Sequence, residues 1–205
     1  MTRINAKEVL KLLEMHYPNA KCELVFNSPF ELLVATILSA QCTDERVNKV
    51  TPELFRHYPT VDSLANSDIE ELKEIIRTTG FFNNKAKNIQ GAAKMIVTHY
   101  NDIVPDSMVE LIKLPGVARK TANVVLYNAL GKNEGIAVDT HVIRVSNVIG
   151  LTNSKEPKVI EKELMKQFPQ DRWGFLSQSL VLYGRYICVA RKHDQSECFL
   201  GHYAM

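Results

Sequence analysis

The sequence lacks any apolar run long enough to cross a membrane as a helix. Such a span needs about 20 consecutive apolar residues. The longest apolar stretches, 32–38 and 124–130, are interrupted by Thr36 and by Tyr127 and Asn128. The opening Met1-Thr2-Arg3-Ile4-Asn5-Ala6-Lys7 passes at once into mixed polar sequence, without the apolar stretch of a secretory signal. A soluble, cytoplasmic protein is expected. Cysteine is scarce: of Cys22, Cys42, Cys188 and Cys198 only the last two lie close together, which gives no sign of a disulfide framework. A charge excess is also missing. The 25 basic and 23 acidic residues leave a net +2, so composition alone singles out no polyanionic partner. There is no low-complexity segment, no internal repeat and no sustained period-two alternation flanked by hairpin turns.

What is present is one helix after another. Ser28-Pro29-Phe30-Glu31 offers an N-cap serine, a proline at the first helical position and a glutamate three residues after the cap, ahead of Leu32, Leu33, Ile37 and Leu38. Thr43 precedes Asp44, Glu45 and a helix carrying Val47, Val50, Leu54 and Phe55. Ser67-Asp68-Ile69-Glu70 reads as a second capping box and Gly80 as a stop. Further helices are expected over 84–100, from Pro105 through Ile112, and over 118–131, 139–150, 156–168 and 171–188, followed by a short polar tail. The pattern predicts an all-α chain. Residues 131–135, Gly-Lys-Asn-Glu-Gly, form a plausible hinge between two helical lobes.

The segment Leu114-Pro115-Gly116-Val117-Ala118-Arg119-Lys120-Thr121-Ala122 reads as helix, tight glycine turn, helix. Such a turn presents backbone N–H groups at a helix N-terminus, where the dipole favours an anion such as a phosphate. Val117 would pack inward, and Arg119 and Lys113 would add positive charge. A bare Pro-Gly between helices is more often an ordinary corner. Lys120 lies two residues into the second helix, and by composition alone it is a surface lysine. Asp139, in Val138-Asp139-Thr140-His141, is equally a good helix N-cap.

Taken together, the hairpin string, the 18 residues between Lys120 and Asp139, Leu38-Ser39-Ala40-Gln41 followed by Thr43-Asp44, and Gly184-Arg185-Tyr186 resemble the endonuclease III family of DNA glycosylase/AP lyases, over about residues 12–198. The resemblance implies a two-lobed helix-hairpin-helix glycosylase fold with a DNA-binding cleft between the lobes. Residues 22–132 would form the central domain, and 1–21 plus 133–205 the second. It also implies a monomer that removes oxidised pyrimidines from damaged duplex DNA and cleaves abasic sites. Lys120 would be the nucleophile that forms an imine at C1′, and Asp139 the carboxylate that stabilises the developing charge. An amine nucleophile must be unprotonated, so desolvation in a cleft and the helix N-terminus are expected to act on Lys120. Lysine here argues against the adenine-glycosylase relatives, which lack it. Gln41 would fill the space left by an extruded base and Phe81 would wedge the stack, where the family often has an aliphatic residue. Gly116, Ala118 and Arg119 would contact DNA. Asp44 would line the lesion pocket or cap its helix, and His141 would meet phosphate or lie on the surface. A monofunctional glycosylase or a non-enzymatic DNA-binding protein on the same scaffold remain alternatives.

Two departures stand out. Ala118 replaces the second glycine of the family's hairpin, which is tolerated at helical dihedrals and costly at positive φ. The family's terminal C-x6-C-x2-C-x5-C, which holds a [4Fe–4S] cluster, would place cysteines at 188, 195, 198 and 204, but Gln195 and Ala204 occupy two of these positions. No cluster is expected. Zinc at Cys188, His193, Cys198 and His202 is a rival, though the spacing matches no common zinc motif. The favoured expectation is a tail held by packing of Tyr186, Phe199 and Tyr203, with both cysteines inert.

Overall fold

A computed structural model describes residues 5–201, and every regular element among them is helical. The helices are α1 (Ala6–His16), α2 (Pro29–Leu38), α3 (Asp44–His57), α4 (Val61–Ala65), α5 (Ile69–Ile76), α6 (Phe82–Tyr100), α7 (Met108–Leu111), α8 (Arg119–Leu130), α9 (Thr140–Val148), α10 (Pro157–Gln167) and α11 (Trp173–Tyr186). Short 3-10 turns occupy Arg77–Thr79, Gln170–Arg172 and Gln195–Glu197. The chain divides into two compact units. One is Glu23–Lys132; the other joins the N-terminal segment through Cys22 to the chain from Asn133 onward. No helix is long and apolar enough to cross a membrane among the described residues.

In the 23–132 unit the centre is α2. Its residues 32–38 are all buried, as expected for a helix apolar all round rather than on one stripe. It packs on α3, α6 and α8. The one hydroxyl inside it is satisfied, because Thr36 Oγ1 donates to Leu32 O at 2.7 Å. Around α2, α6 buries Ala86, Ile89, Ala92, Ala93 and Ile96, and it carries α4 and α5 against it.

In the other unit α11 packs on α9 and α1 through Leu176, Leu180 and Tyr183. The crossing with α9 is close. A Cβ on Gly184 would sit 3.0 Å from both His141 Cβ and Val145 Cγ2, so glycine is what lets these helices approach. The segment ahead of α9 is pinned as well as buried. Ile136 N donates to the buried Glu161 carboxylate at 3.2 Å, and Ser177 Oγ donates to Ala137 O at 2.7 Å. That pinning fixes where Asp139 emerges.

Several expectations need correction. α1 and α4 do not stand out in the sequence: α1 buries only Val9 and Leu13, and α4 has five residues. The box expected at Ser67 does not form. Asp68 caps α5, its Oδ1 accepting from Glu70 N (2.8 Å) and Glu71 N (3.0 Å), while Ser67 Oγ donates to Leu64 O at 2.8 Å and closes α4. A carboxylate that satisfies two orphan amides outcompetes a hydroxyl already engaged. At α2 Ser28 does accept from Glu31 N (3.2 Å), but Glu31 Oε2 reaches Asn27 N (2.7 Å) instead of Ser28. Helix α11 starts at Trp173, after a 3-10 turn, and ends at Tyr186.

The tail packs differently from the expectation. Tyr186 is 58% exposed, whereas Tyr183, three and seven residues after Leu180 and Leu176, lies on the inner face and is fully buried. Phe199 meets the Tyr183 ring edge-on (4.7 Å between centroids) and stacks on His16 (3.9 Å). His202, Tyr203 and Ala204 lie outside the described residues.

Candidate active site

The hairpin is built from α7, a turn and α8. Leu114 and Val117 are buried and anchor the turn through Leu114 N→Leu111 O and Val117 N→Leu114 O, each 3.1 Å. Gly116 takes φ 77°, a left-handed value that favours glycine. A Cβ there would lie 2.8 Å from Asn88 Cβ on α6, so this glycine is required twice over. Ala118 is different. At φ −90° and ψ 169° it is an extended N-cap, neither helical nor left-handed, so the missing second glycine strains nothing. Its methyl group supplies no capping bond, and the first amides of α8 receive none from their own N-cap. Lys113 adds less free charge than expected, because its ammonium pairs with Glu110 at 2.7 Å and that carboxylate holds its pKa up.

Lys120 is the second residue of α8 and is exposed. Among the described residues it makes no hydrogen bond or ion pair. The desolvation expected for it is therefore not provided by burial within the chain. Arg119 is exposed beside it. Asp139, half-buried, caps α9 by accepting from Val142 N through Oδ1 at 2.8 Å. One oxygen is thus committed to the helix, and the other makes no hydrogen bond among the described residues. Lys120 belongs to the 23–132 unit and Asp139 to the other. His141, the second residue of α9, is half-buried with its Cβ against Gly184.

The two wedge candidates share an unusual backbone. Gln41 (φ 53°) and Phe81 (φ 49°) are both left-handed without being glycine, and both are exposed, Phe81 at 65%. A core role for Phe81 is excluded by that exposure. Strain of this kind costs about 1–3 kcal/mol per residue and persists only where surrounding contacts enforce it. One contact bracing the approaches to both positions is not legible from the sequence. Lys85, 4% exposed, donates from Nζ to Leu38 O and to Thr79 O, each at 2.7 Å. One ammonium thereby ties the end of α2, three residues before Gln41, to the turn two residues before Phe81. Burial pushes the Lys85 pKa below its ordinary value. The sequence does carry a trace of this: Lys85 falls on the stripe of Ile89, Ala92 and Ile96, where a lysine needs a partner. Asp44 stands at the first position of α3; the cap expected of it is supplied by Thr43, whose Oγ1 accepts from Arg46 N at 3.2 Å.

With this geometry in hand, comparison with known proteins is decisive. Residues 34–170 match the HhH-GPD superfamily of base excision DNA repair proteins. Endonuclease III of Synechocystis is 54% identical over 197 residues, covering 96% of this chain and 90% of that protein. The Bacillus subtilis endonuclease III is 47% identical over 183 residues, covering 89% and 83%. The chain belongs to the endonuclease III family. Among solved structures, a trapped covalent endonuclease III–DNA intermediate superposes with a TM-score of 0.92 at 43% identity, covering 98% of this chain and 96% of that one.

The family's [4Fe–4S] cluster can be tested against the donors present. The thiols in the tail are Cys188 and Cys198, and positions 195 and 204 carry no sulfur. The third donor near them is the His193 imidazole. Two thiolates and an imidazole do not make the four-thiolate cage that such a cluster needs, so the residues do not fit it.

Proposed function

We propose that this endonuclease III family member is a base-excision-repair glycosylase and AP lyase that removes oxidised pyrimidines from duplex DNA, with Lys120 as nucleophile and Asp139 as the catalytic carboxylate. It acts as a monomer, in the cytoplasm, where the genomic DNA lies. The observation that carries the reading is Lys120 itself. It is an exposed amine without a partner among the described residues, four residues after Gly116, in a chain whose 43%-identical relative has been trapped covalently on DNA.

The chemistry follows from the groups. Backbone amides of the Gly116 turn and the uncapped start of α8 hold a DNA phosphate, aided by Arg119. Extrusion of the damaged base leaves a gap, which Gln41 fills while Phe81 stacks on the neighbouring bases. The Lys120 amine attacks C1′; a C1′–Nζ bond forms, the glycosidic bond breaks, and the base leaves with its electron pair and takes up a proton. The resulting N,O-acetal opens to an imine as the C1′–O4′ bond breaks and O4′ takes up a proton. Loss of a C2′ proton then expels the 3′ phosphate by β-elimination, and water hydrolyses the imine to regenerate the amine. The Asp139 carboxylate opposes the positive charge that grows on the sugar and accepts protons between steps. DNA closing over Lys120 supplies the desolvation that burial within the chain does not.

The test is borohydride reduction during turnover on a duplex with one oxidised pyrimidine. A covalent adduct with the wild type and none with Lys120→Ala is expected. Base release without any adduct, or an adduct that survives Lys120→Ala, would overturn the assignment.

A further inference from the structure

The tail brings together three donors that the repair chemistry does not use. Cys188 closes α11 and is 0% exposed, Cys198 follows the last 3-10 turn at 1%, and His193 lies between them. The two Sγ atoms and an imidazole nitrogen all lie within 4.8 Å of one another. A tetrahedral zinc ion, with bonds of about 2.0–2.3 Å, holds its ligand atoms about 3.3–3.8 Å apart, so modest contraction brings these three donors to ligand spacing and leaves the fourth position to a water molecule.

The imidazole is oriented for this. Its Nδ1 lies 2.8 Å from Arg191 O. A carbonyl oxygen only accepts, so Nδ1 must carry the proton and Nε2 must present its lone pair. That Nε2 lies 3.2 Å from Cys198 Sγ. A backbone carbonyl that fixes the tautomer is the usual support behind a metal-bound histidine. Burial pushes the Cys198 thiol pKa up, so that thiol keeps its proton until an ion binds, whereas Cys188 has a cation beside it. Arg144 Nη1 donates to Cys188 Sγ at 3.6 Å while Nη2 holds Gly184 O at 2.7 Å, placing a fixed positive charge beside one sulfur. The buried Tyr183 hydroxyl makes no well-formed hydrogen bond and sits beside Cys198. A deprotonated sulfur there would give it an acceptor.

We propose that Cys188, His193 and Cys198 form a mononuclear zinc site that replaces the family's iron–sulfur cluster as the staple of the C-terminal tail. On binding, each thiol loses its proton, and two thiolates neutralise the dication. The proposal departs from the expectation of two inert cysteines. The spacing of the four-ligand set Cys188, His193, Cys198 and His202 fits no common zinc motif, but the 3-10 turn Gln195–Glu197 folds the chain back and brings the first three of these donors together.

The test uses the full chain, reduced and stripped with a chelator, titrated with cobalt(II) and then zinc(II). One cobalt per chain should bind with thiolate-to-metal charge-transfer absorption and the intense d–d band of a tetrahedral centre. Zinc should displace it and raise the thermal midpoint. Cys198→Ser should abolish tight binding. Because a buried serine can impair folding, His193→Ala is the second variant: it alters a half-buried ring and should weaken affinity more than about tenfold. Uptake below one equivalent, absorption without charge transfer, or affinity unchanged by His193→Ala would overturn the site. So would iron and sulfide in the protein as purified.

Discussion

Replacing Lys85 by methionine isolates the link between the two loops that carry the proposed wedge residues Gln41 and Phe81. Methionine keeps an unbranched apolar stem, so packing against Ile89 and its neighbours survives, and only the ammonium is lost. Leu38 O and Thr79 O then lose a buried donor 2.7 Å away. A buried polar group left unsatisfied costs about 1–3 kcal/mol, which for two carbonyls gives about 2–6 kcal/mol. Against this stands relief from burying a charge, which makes apolar replacement of buried ions less damaging than removal of one partner would suggest. A net loss of about 2–3 kcal/mol is expected. In a chain of this size that lowers the thermal midpoint by about 4–12 °C.

The functional consequence separates this role from mere stability. Gln41 and Phe81 pay for left-handed φ values of 53° and 49° only while their loops are held. Once Lys85 is gone, both loops are expected to loosen and both residues to relax to commoner basins. The hairpin around Gly116 is untouched, so sequence-independent phosphate binding remains. The assay is duplex affinity with and without an oxidised pyrimidine, at a temperature where both proteins are folded, with a fluorescent base reporting extrusion. Lesion discrimination and extrusion should fall together while affinity for undamaged duplex stays close to wild type. Lys85→Met with unchanged discrimination, whatever its stability, would refute the reasoning.

Other perturbations test neighbouring parts. Gly116→Ala forces a left-handed alanine, costing about 1–2 kcal/mol, and drives a methyl to 2.8 Å from Asn88 Cβ; affinity for damaged and undamaged duplex should fall alike in a salt-dependent binding assay. Phe81→Ala removes an exposed ring, so stability by urea unfolding should stay within about 0.5 kcal/mol. Loss of base–aromatic stacking, about 1–3 kcal/mol, should nonetheless weaken lesion-duplex affinity by about 5- to 150-fold.

How much was legible from sequence depends on how local each feature's cause is. The helices at 29–38, 44–57 and 119–130 announce themselves because caps, prolines and glycines act within four residues. The hairpin was legible for the same reason, down to inward Val117. What depends on competition was misread: Ser67 is a good cap in isolation, but Asp68 offers two amides a charged acceptor. What depends on distant partners was invisible. Lys85 meets a carbonyl 47 residues away, and nothing near position 85 names that partner. Ala118 could not be settled either, because its tolerance turns on one dihedral, and φ −90° falls on neither side of the dichotomy posed.

The same distinction explains how the hairpin and the wedge loops are held. The hairpin needs a residue free to take φ 77°, and the code for that is local: a glycine, with a buried valine after it. The proposed wedge needs exposed side chains larger than glycine, which the left-handed region penalises, so local sequence encodes it weakly. Support from elsewhere helps to hold it, and a buried ammonium shared between two carbonyls is a compact way to brace two loops at once. If that is the logic, the wedge residues should tolerate substitution by many side chains without loss of fold, whereas Lys85 should tolerate almost none. A saturation library scored separately for folding and for lesion discrimination would show this contrast, and equal tolerance at 41, 81 and 85 would remove the argument.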